Sequence, residues 1–544
     1  MRSKDTINRS ILSDVTILLF AGVVFATYQH GKNLSPEFLL FFSQVVILWF
    51  VVKIIYRLFP KLKSLVLVGL VAWGVVEAAW GLGQLYYYFP AKHALFRTTG
   101  SFFNPGPHGG FIALIIPLTL YYWLVSRQKN KWVGYLFLFG GAILLMVLPA
   151  TLSRTAWMAA VAGCLTVVSV NKRFQARFRS FWRQHERGRV LGIVILSLFV
   201  TVTAYGVYHL KKDSADGRLF MWKITALAIE DTRLKGTGLG GFRTAYANAQ
   251  MNYSKSGKAT ATEKLVAGSP EYAFNEYLQV FLEQGILGFI LFLTFSLLII
   301  RSGIRNKQVG ATGSFVALSV FAFASYPYQL WQFPVVWVLL GATCTASPGM
   351  GNYRVSRYNR KETLFLALLL TALFTASIAC FSRQKVFMQA RKEWKRLHPL
   401  YTMKAYESVE GEYMKLYPAL NHEPRFVFEY GMVLNATGQR EKADRIFTRG
   451  LEISSDPMFY NVKGRNHDKA EDCYIKSTWL LPERVYPYYL LTKLHADSLN
   501  YNPGKMHQAA KTVLEKEPKV HSQAIMEMRE EVKKILKEKG VTSK

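Results

Sequence analysis

Acidic residues are scarce in this chain. Only 35 Asp and Glu stand against 67 Lys and Arg over 544 residues, a formal charge of +32. Cysteine is scarcer still, four in all with no C-x-x-C pair, so a disulfide framework, a redox pair and a structural zinc site are not expected. Cys164, Cys344 and Cys380 lie in apolar runs, and only Cys473 lies in polar sequence. Charged residues make up 19% of the chain and hydrophobic ones 51%, which excludes disordered and collagen-like chains. The apolar residues fall into blocks of about 18–25 with almost no charge, enough to cross ~30 Å of hydrocarbon. The chain therefore reads as a polytopic membrane protein. It does not read as the three or four soluble domains that about 150 residues per domain would otherwise allow.

Eleven spans are expected, near 14–29, 37–56, 64–86, 108–126, 132–151, 154–171, 190–210, 278–300, 311–328, 331–347 and 363–382. The basic N-terminus (Arg2, Lys4, Arg9) runs into the first of them with no convincing cleavage site. If the N-terminus is cytoplasmic, the short inside loops collect 23 Lys and Arg, among them Arg57, Arg127, Lys172, Arg305 and Arg360. The short outside loops hold four: Lys32, Lys92, Arg97 and Arg154. That asymmetry is the positive-inside pattern. It puts the long loop 211–276 and everything after the last span outside the cytoplasm. Much of the net charge is thus a topology signal scattered over six loops, and a nucleic-acid partner is not implied. The expected division is 1–382 for the membrane domain, with the large outer loop 211–276, and 383–544 for a polar domain.

That polar domain reads as helical. Residues 424–456, closed by Pro457, form one helix–turn–helix unit, with Gly431 on the first helix and Ala443, Phe447 and Leu451 at i, i+4 and i+8 on the second. The 34-residue spacing resembles a tetratricopeptide repeat. A looser copy runs through Ala470, Tyr474, Leu480-Leu481-Pro482, Leu491 and Ala496, and a third starts near Lys505. The fold class is all-α: a membrane bundle followed by an extracytoplasmic helical-repeat domain, itself a docking surface for an acceptor or a protein partner.

Four outward-facing stretches carry the chemistry. The first is Arg97-Thr98-Thr99-Gly100 through Asn104-Pro105-Gly106-Pro107-His108-Gly109-Gly110. The second is Ser153-Arg154-Thr155-Ala156-Trp157. The third is Gly217-Arg218-Leu219-Phe220-Met221-Trp222, then Gly236-Thr237-Gly238-Leu239-Gly240-Gly241-Phe242-Arg243. The fourth is Phe274-Asn275-Glu276-Tyr277-Leu278-Gln279, then Glu283-Gln284-Gly285-Ile286-Leu287-Gly288. Each has a plain alternative. Arg97 could be an interface anchor, Arg218 could pair with Asp213 or Asp216, and His108 could bond backbone at a helix start. Glu276 could be a first-turn carboxylate favoured by the helix dipole. The glycines follow no strand and lie outside the cytoplasm, so they are not a dinucleotide fingerprint. Arg154 stands in a tight outer turn, where the inside preference of arginine disfavours it without a function.

In order and sidedness these stretches resemble the O-antigen ligase and O-antigen polymerase superfamily of bacterial integral membrane glycosyltransferases, over roughly residues 90–345. With its repeat tail, the chain is similar to members bearing a tetratricopeptide-like extension. The resemblance implies an undecaprenyl-diphosphate-type lipid-linked glycan as donor, with transfer to lipid A–core, another glycan or a protein at the outer face of the bacterial cytoplasmic membrane. It implies no cofactor and no metal. Arg154 and Arg218 match the motif arginines and are expected to bind the diphosphate, with Arg97 and Arg243 as further candidates. Where many ligases of the superfamily carry a basic histidine before the asparagine, this chain has Phe274, which cannot accept a proton. The base is then sought in Glu276 or His108, beside Asn275. The same resemblance admits a polysaccharide polymerase. A lipid-glycan transporter or a membrane scaffold are alternatives of other classes. Few charges lie at span centres, Glu77 being the main exception.

Overall fold

The computed structural model describes residues 2–30, 36–93, 95–170, 175–176, 180, 212–232, 234–346, 360–465, 469–518 and 522–540. Every regular element among them is a helix. The membrane part comprises α1 (Arg2–His30), α2 (Pro36–Leu58), α3 (Leu62–Leu85), α4 (Pro105–Ser126), α5 (Lys131–Ala150) and α6 (Arg154–Val170). It continues after an outer segment with α10 (Glu276–Arg305), α11 (Val309–Phe323) and α12 (Gln332–Thr345). Six of the described helices, α1 to α5 and α10, are long and apolar enough to cross a membrane, while α6, α11 and α12 are shorter apolar helices. The expected count of eleven is therefore not reproduced by length and composition, and the span placed at 190–210 lies outside the described residues. The span placed at 363–382 falls inside α13 (Arg360–Thr402). That helix of 43 residues runs unbroken through the expected domain boundary at 382/383.

Close approach of small residues sets the packing, as expected where lipid offers no hydrophobic contrast. A Cβ on Gly163 of α6 would meet the carbonyl of Gly313 on α11 at 2.7 Å and Pro117 of α4 at 2.4 Å, so three helices touch nearly backbone to backbone there. The one basic residue inside the second span, Lys53, is neutralised by Asp14 of α1 at 2.7 Å. Asp14 also accepts from the Trp49 indole N–H at 2.9 Å, tying α1 to α2. Trp49 in turn packs on Phe295 and Trp337 in the bundle core. An intramembrane charge is tolerable when it is paired in this way.

The outer segment between α6 and α10 holds α7 (Lys212–Thr232), α8 (Phe242–Lys255) and the short α9 (Ala261–Val266). The C-terminal helices are α14 (Tyr406–Leu420), α15 (Pro424–Ala436), α16 (Arg440–Ile453), α17 (Met458–Gly464), α18 (Ala470–Leu480), α19 (Tyr486–Ala496), α20 (Pro503–Glu515) and α21 (Gln523–Glu538). The repeat expected at 424–456 is the α15–α16 hairpin, with its turn at Gly438 in the left-handed region. One device recurs along the array: a glycine on one helix receives an aromatic ring from the next. Gly431 takes Phe447, Gly450 takes Phe459 and Gly464 takes Tyr474, each too close for a Cβ.

This array docks on the bundle end that carries α7 to α9. Arg391 of α13 pairs with Glu37 at the start of α2 at 2.6 Å and with Glu423 at 3.1 Å. His422 meets the same Glu37 carboxylate at 3.2 Å. The Thr244 hydroxyl on α8 donates to the Glu452 carbonyl at 2.6 Å, and Leu481 joins the apolar core formed by Phe220, Phe242 and Tyr246. The loop segment, the repeat array and the N-termini of α2, α4, α6 and α10 therefore share one end of the molecule.

Candidate functional site

The Ser153–Arg154 turn is tight enough to force Leu152 to a φ of 50°, a conformation rare outside glycine and often stored at functional sites. Arg154 is the first residue of α6, so its side chain starts from the positive end of that helix. A Cβ on Gly109 of α4 would meet the Thr151 hydroxyl at 2.5 Å, so the first and second sequence motifs pack directly on each other.

Arg218 reaches the same place from α7. Its guanidinium donates to the Ala324 carbonyl at 2.9 Å and to the Thr155 hydroxyl at 3.3 Å. It also stands over the Phe274 ring, 5.6 Å from the centroid. Burial, followed by the nearby charge of Arg154, holds its pKa below the ordinary arginine value. Two like charges held together in a partly desolvated site favour an anion that can bridge them. The third element is the α11–α12 loop. Tyr326 packs edge-on to Phe274 at 4.8 Å and stacks on Tyr272 at 5.3 Å. Burial raises the Tyr326 phenol to about 12, so it remains protonated, and neutral, at physiological pH.

Phe274, also at a φ of 50°, turns the chain into α10. Asn275 is the N-cap: its side-chain oxygen accepts from the N–H groups of Tyr277 and Leu278 at 3.0 and 3.1 Å. Glu276 follows, 2% exposed, and one carboxylate oxygen accepts from the Tyr328 N–H at 2.8 Å. The two strips 274–276 and 326–328 run side by side, so Glu276 lies about 7 Å of chain from Phe274. Arg218 faces Phe274 and Tyr326. Glu276, two residues on from Phe274, lines an adjoining apolar cavity among α1, α2, α10 and α12.

The glycine run has a mechanical explanation. α10 breaks at Gly285, whose φ of 66° and ψ of −173° are not helical. The break exposes carbonyls, and the loop 236–238 satisfies them: Thr237 N–H donates to Leu282 O at 3.0 Å and Gly238 N–H to Glu283 O at 2.9 Å. Gly236 must lack a side chain, since a Cβ would lie 2.4 Å from the Glu283 carbonyl oxygen. The Glu283 carboxylate accepts from the Gln279 side-chain amide at 3.3 Å. Gly285→Ala is expected to strain the turn by about 1–3 kcal/mol and to press on Leu234 O, which a Cβ would meet at 2.6 Å. Faster limited proteolysis within 232–242 in the purified variant is the expected readout.

The other expected residues are placed apart from the arginine pair. Arg97 stacks on Tyr87, 3.8 Å from its ring centroid, on the α3–α4 connection. His108 is fully buried, and its ring fills the space that Gly81 and Gly100 leave open, beside Glu77. Arg243 pairs with Glu271 at 3.5 Å in a smaller pocket with Tyr272, Glu283 and His422. Among the described residues no cluster of three or more His, Cys, Asp or Glu side chains is arranged as a metal site. Tyr326 lies outside the four stretches read from the sequence, and Thr155, though inside the second, has no assigned role there. The loop 324–331 was expected to be largely span, because Ala-Phe-Ala-Ser-Tyr-Pro-Tyr (322–328) carries no charge and is mostly apolar or aromatic. α11 in fact ends at Phe323, and Pro327, with the restriction it places on Tyr326, is the physical signal for that end.

Fold and site together define a multi-pass membrane protein with a cationic centre at one end of its bundle and a helical-repeat domain seated on that end. Residues 139–293 match the family model O-antigen ligase, and residues 392–456 match that of the YpiA-like C-terminal tetratricopeptide repeats. Both matches bear out the resemblance read from the motifs and support a glycan ligase- or polymerase-type function. The first takes in Arg154, Arg218, Arg243, Asn275 and Glu276 and ends short of the α11–α12 loop; the motif holding Arg97 and His108 lies before it. No curated protein and no solved structure matches the chain.

Proposed function

We propose that this protein transfers a glycan from a polyprenyl-diphosphate carrier to an acceptor hydroxyl, in the manner of an O-antigen ligase. The observation that carries this reading is the convergence of Arg154 and Arg218, from different helices, on one partly buried site at the bundle end. A diphosphate is the leaving group such a pair suits. Planar guanidinium forks bind phosphoryl oxygens bidentately, and they stabilise charge that grows as the bond to the sugar breaks. In the transfer, the acceptor oxygen bonds to the anomeric carbon and the carbon–oxygen bond to the diphosphate breaks. The electron pair leaves on the diphosphate, and the hydroxyl proton passes to the Glu276 carboxylate. Arg243 and Arg97 are assigned to the surrounding glycan and membrane surface, and His108 to holding α3, α4 and their connection together.

The orientation that fits this chemistry has the N-terminus in the cytoplasm and the site and repeat domain outside the cytoplasmic membrane. The repeat domain would then meet the acceptor or a protein partner. A polysaccharide polymerase uses the same chemistry with a glycan acceptor. The test is genetic and chemical. Cells in which Arg154→Ala replaces the native residue should lose mature surface glycan and accumulate the lipid-linked donor, at unchanged protein level. Normal glycan with no donor accumulation would remove the reading.

A further inference from the structure

Tyr326 stands in the middle of the α11–α12 loop, and that loop grips both halves of the site. At one end the Ala324 carbonyl accepts from the Arg218 guanidinium at 2.9 Å. At the other the Tyr328 N–H donates to the Glu276 carboxylate at 2.8 Å. The chain from 324 to 328 spans at most about 14 Å, which places Tyr326 between the cation and the carboxylate. Its ring is fixed on two sides, stacked on Tyr272 at 5.3 Å and edge-on to Phe274 at 4.8 Å. Arg218 stands over the same Phe274 ring at 5.6 Å, and the phenol and the guanidinium lie within each other's electrostatic reach.

Tyr326 is 7% exposed, yet its hydroxyl makes no hydrogen bond to any of the described residues. A largely buried hydroxyl without a partner is costly unless a ligand meets it. The ligand that fits here is an anionic oxygen, because the phenol O–H and the neighbouring guanidinium can both donate to it. Phe274, the ring that Arg218 and Tyr326 share, has no polar atom to compete for either. We propose that the Tyr326 phenol is a further substrate-binding donor, which hydrogen-bonds the phosphoryl group joined to the sugar. That phosphoryl carries off the electron pair when the carbon–oxygen bond breaks. The proton stays on the phenol, and its hydrogen bond strengthens as charge grows on the leaving oxygen. The sugar-side phosphoryl is chosen because Tyr326 lies on the Glu276 side of Arg218, toward the reacting carbon. This deepens the functional reading and rests on it for the identity of the anion.

The test titrates the full-length protein in lipid nanodiscs with farnesyl diphosphate and with farnesyl monophosphate. The terminal phosphoryl of the diphosphate stands in for the one joined to the sugar, and the monophosphate lacks it. Tyr326→Phe keeps the ring on Tyr272 and Phe274 and removes only the hydroxyl, so thermal unfolding should be unchanged. The variant should bind farnesyl diphosphate about tenfold more weakly, the usual loss of a hydrogen bond to a charged group, and farnesyl monophosphate within about twofold of the native protein. Tyr272→Phe, at the stacked neighbour, should change neither ligand by more than about twofold. Equal weakening of both ligands by Tyr326→Phe would overturn the proposal and reduce Tyr326 to packing, and unchanged binding of both would overturn it as well. Arg218→Ala separates the two claims. A diphosphate preference that Arg218→Ala abolishes and Tyr326→Phe keeps would refute the role of Tyr326 alone. A native protein without that preference would refute the functional reading, and the phenol's role with it.

Discussion

Arg218→Ala should reduce glycan transfer by about 10²–10³-fold in kcat, the usual loss when one preorganised donor to a developing anion is removed. Arg218→Lys should recover little of it. The guanidinium is held by three groups at once, the Ala324 carbonyl, the Thr155 hydroxyl and the Phe274 ring. An ammonium keeps the charge but loses the planar fork that satisfies such a set and a diphosphate together. The assay is single-turnover transfer from a synthetic polyprenyl-diphosphate glycan by protein in nanodiscs. Thermal unfolding measured alongside separates catalysis from folding. A Lys variant within threefold of the native rate would reduce the role of Arg218 to charge alone.

The second large effect is expected at Glu276. Glu276→Gln keeps the shape and keeps an oxygen to accept the Tyr328 N–H, but it cannot take a proton. Loss of a positioned general base is worth about 10²–10⁴-fold, so kcat should fall in that range with donor binding unchanged. Glu283→Gln is the control. That carboxylate is buried and engaged by the Gln279 side-chain amide one helical turn away, so its substitution should act on stability more than on kcat. Equal rates for native and Glu276→Gln protein would move the base elsewhere.

Much of the fold was legible because membrane helices announce themselves by length and apolarity. Each expected span among the described residues overlaps a helix, although the one at 311–328 overruns the end of α11 and only six of the described helices are long and apolar enough to cross a membrane. The repeat hairpin at 424–456 emerged from its i, i+4, i+8 face. Arg154 stood out because arginine in a short outer turn is expensive, and Arg218, in the long outer loop, because it matched a motif arginine of the resemblance. Three things were not legible. The break at Gly285 sits in a run that hydropathy reads as one span, and only the glycine loop at 236–238 that docks on it makes the break stable. Tyr326 lay hidden in an apolar stretch that looked like the end of a span. His108 and Arg97 share a motif with real site neighbours, yet their side chains turn to α3 and to Tyr87. A motif gives the position of a residue along the chain and not the direction its side chain takes.

The central claim is that Arg154 and Arg218 together hold a diphosphate. Equilibrium binding of farnesyl diphosphate and farnesyl monophosphate to the nanodisc-embedded protein tests it most directly. The account predicts at least tenfold tighter binding of the diphosphate, and loss of that preference in both Arg154→Ala and Arg218→Ala. Equal affinity for the two ligands in the native protein, or an undiminished preference in both variants, would contradict it.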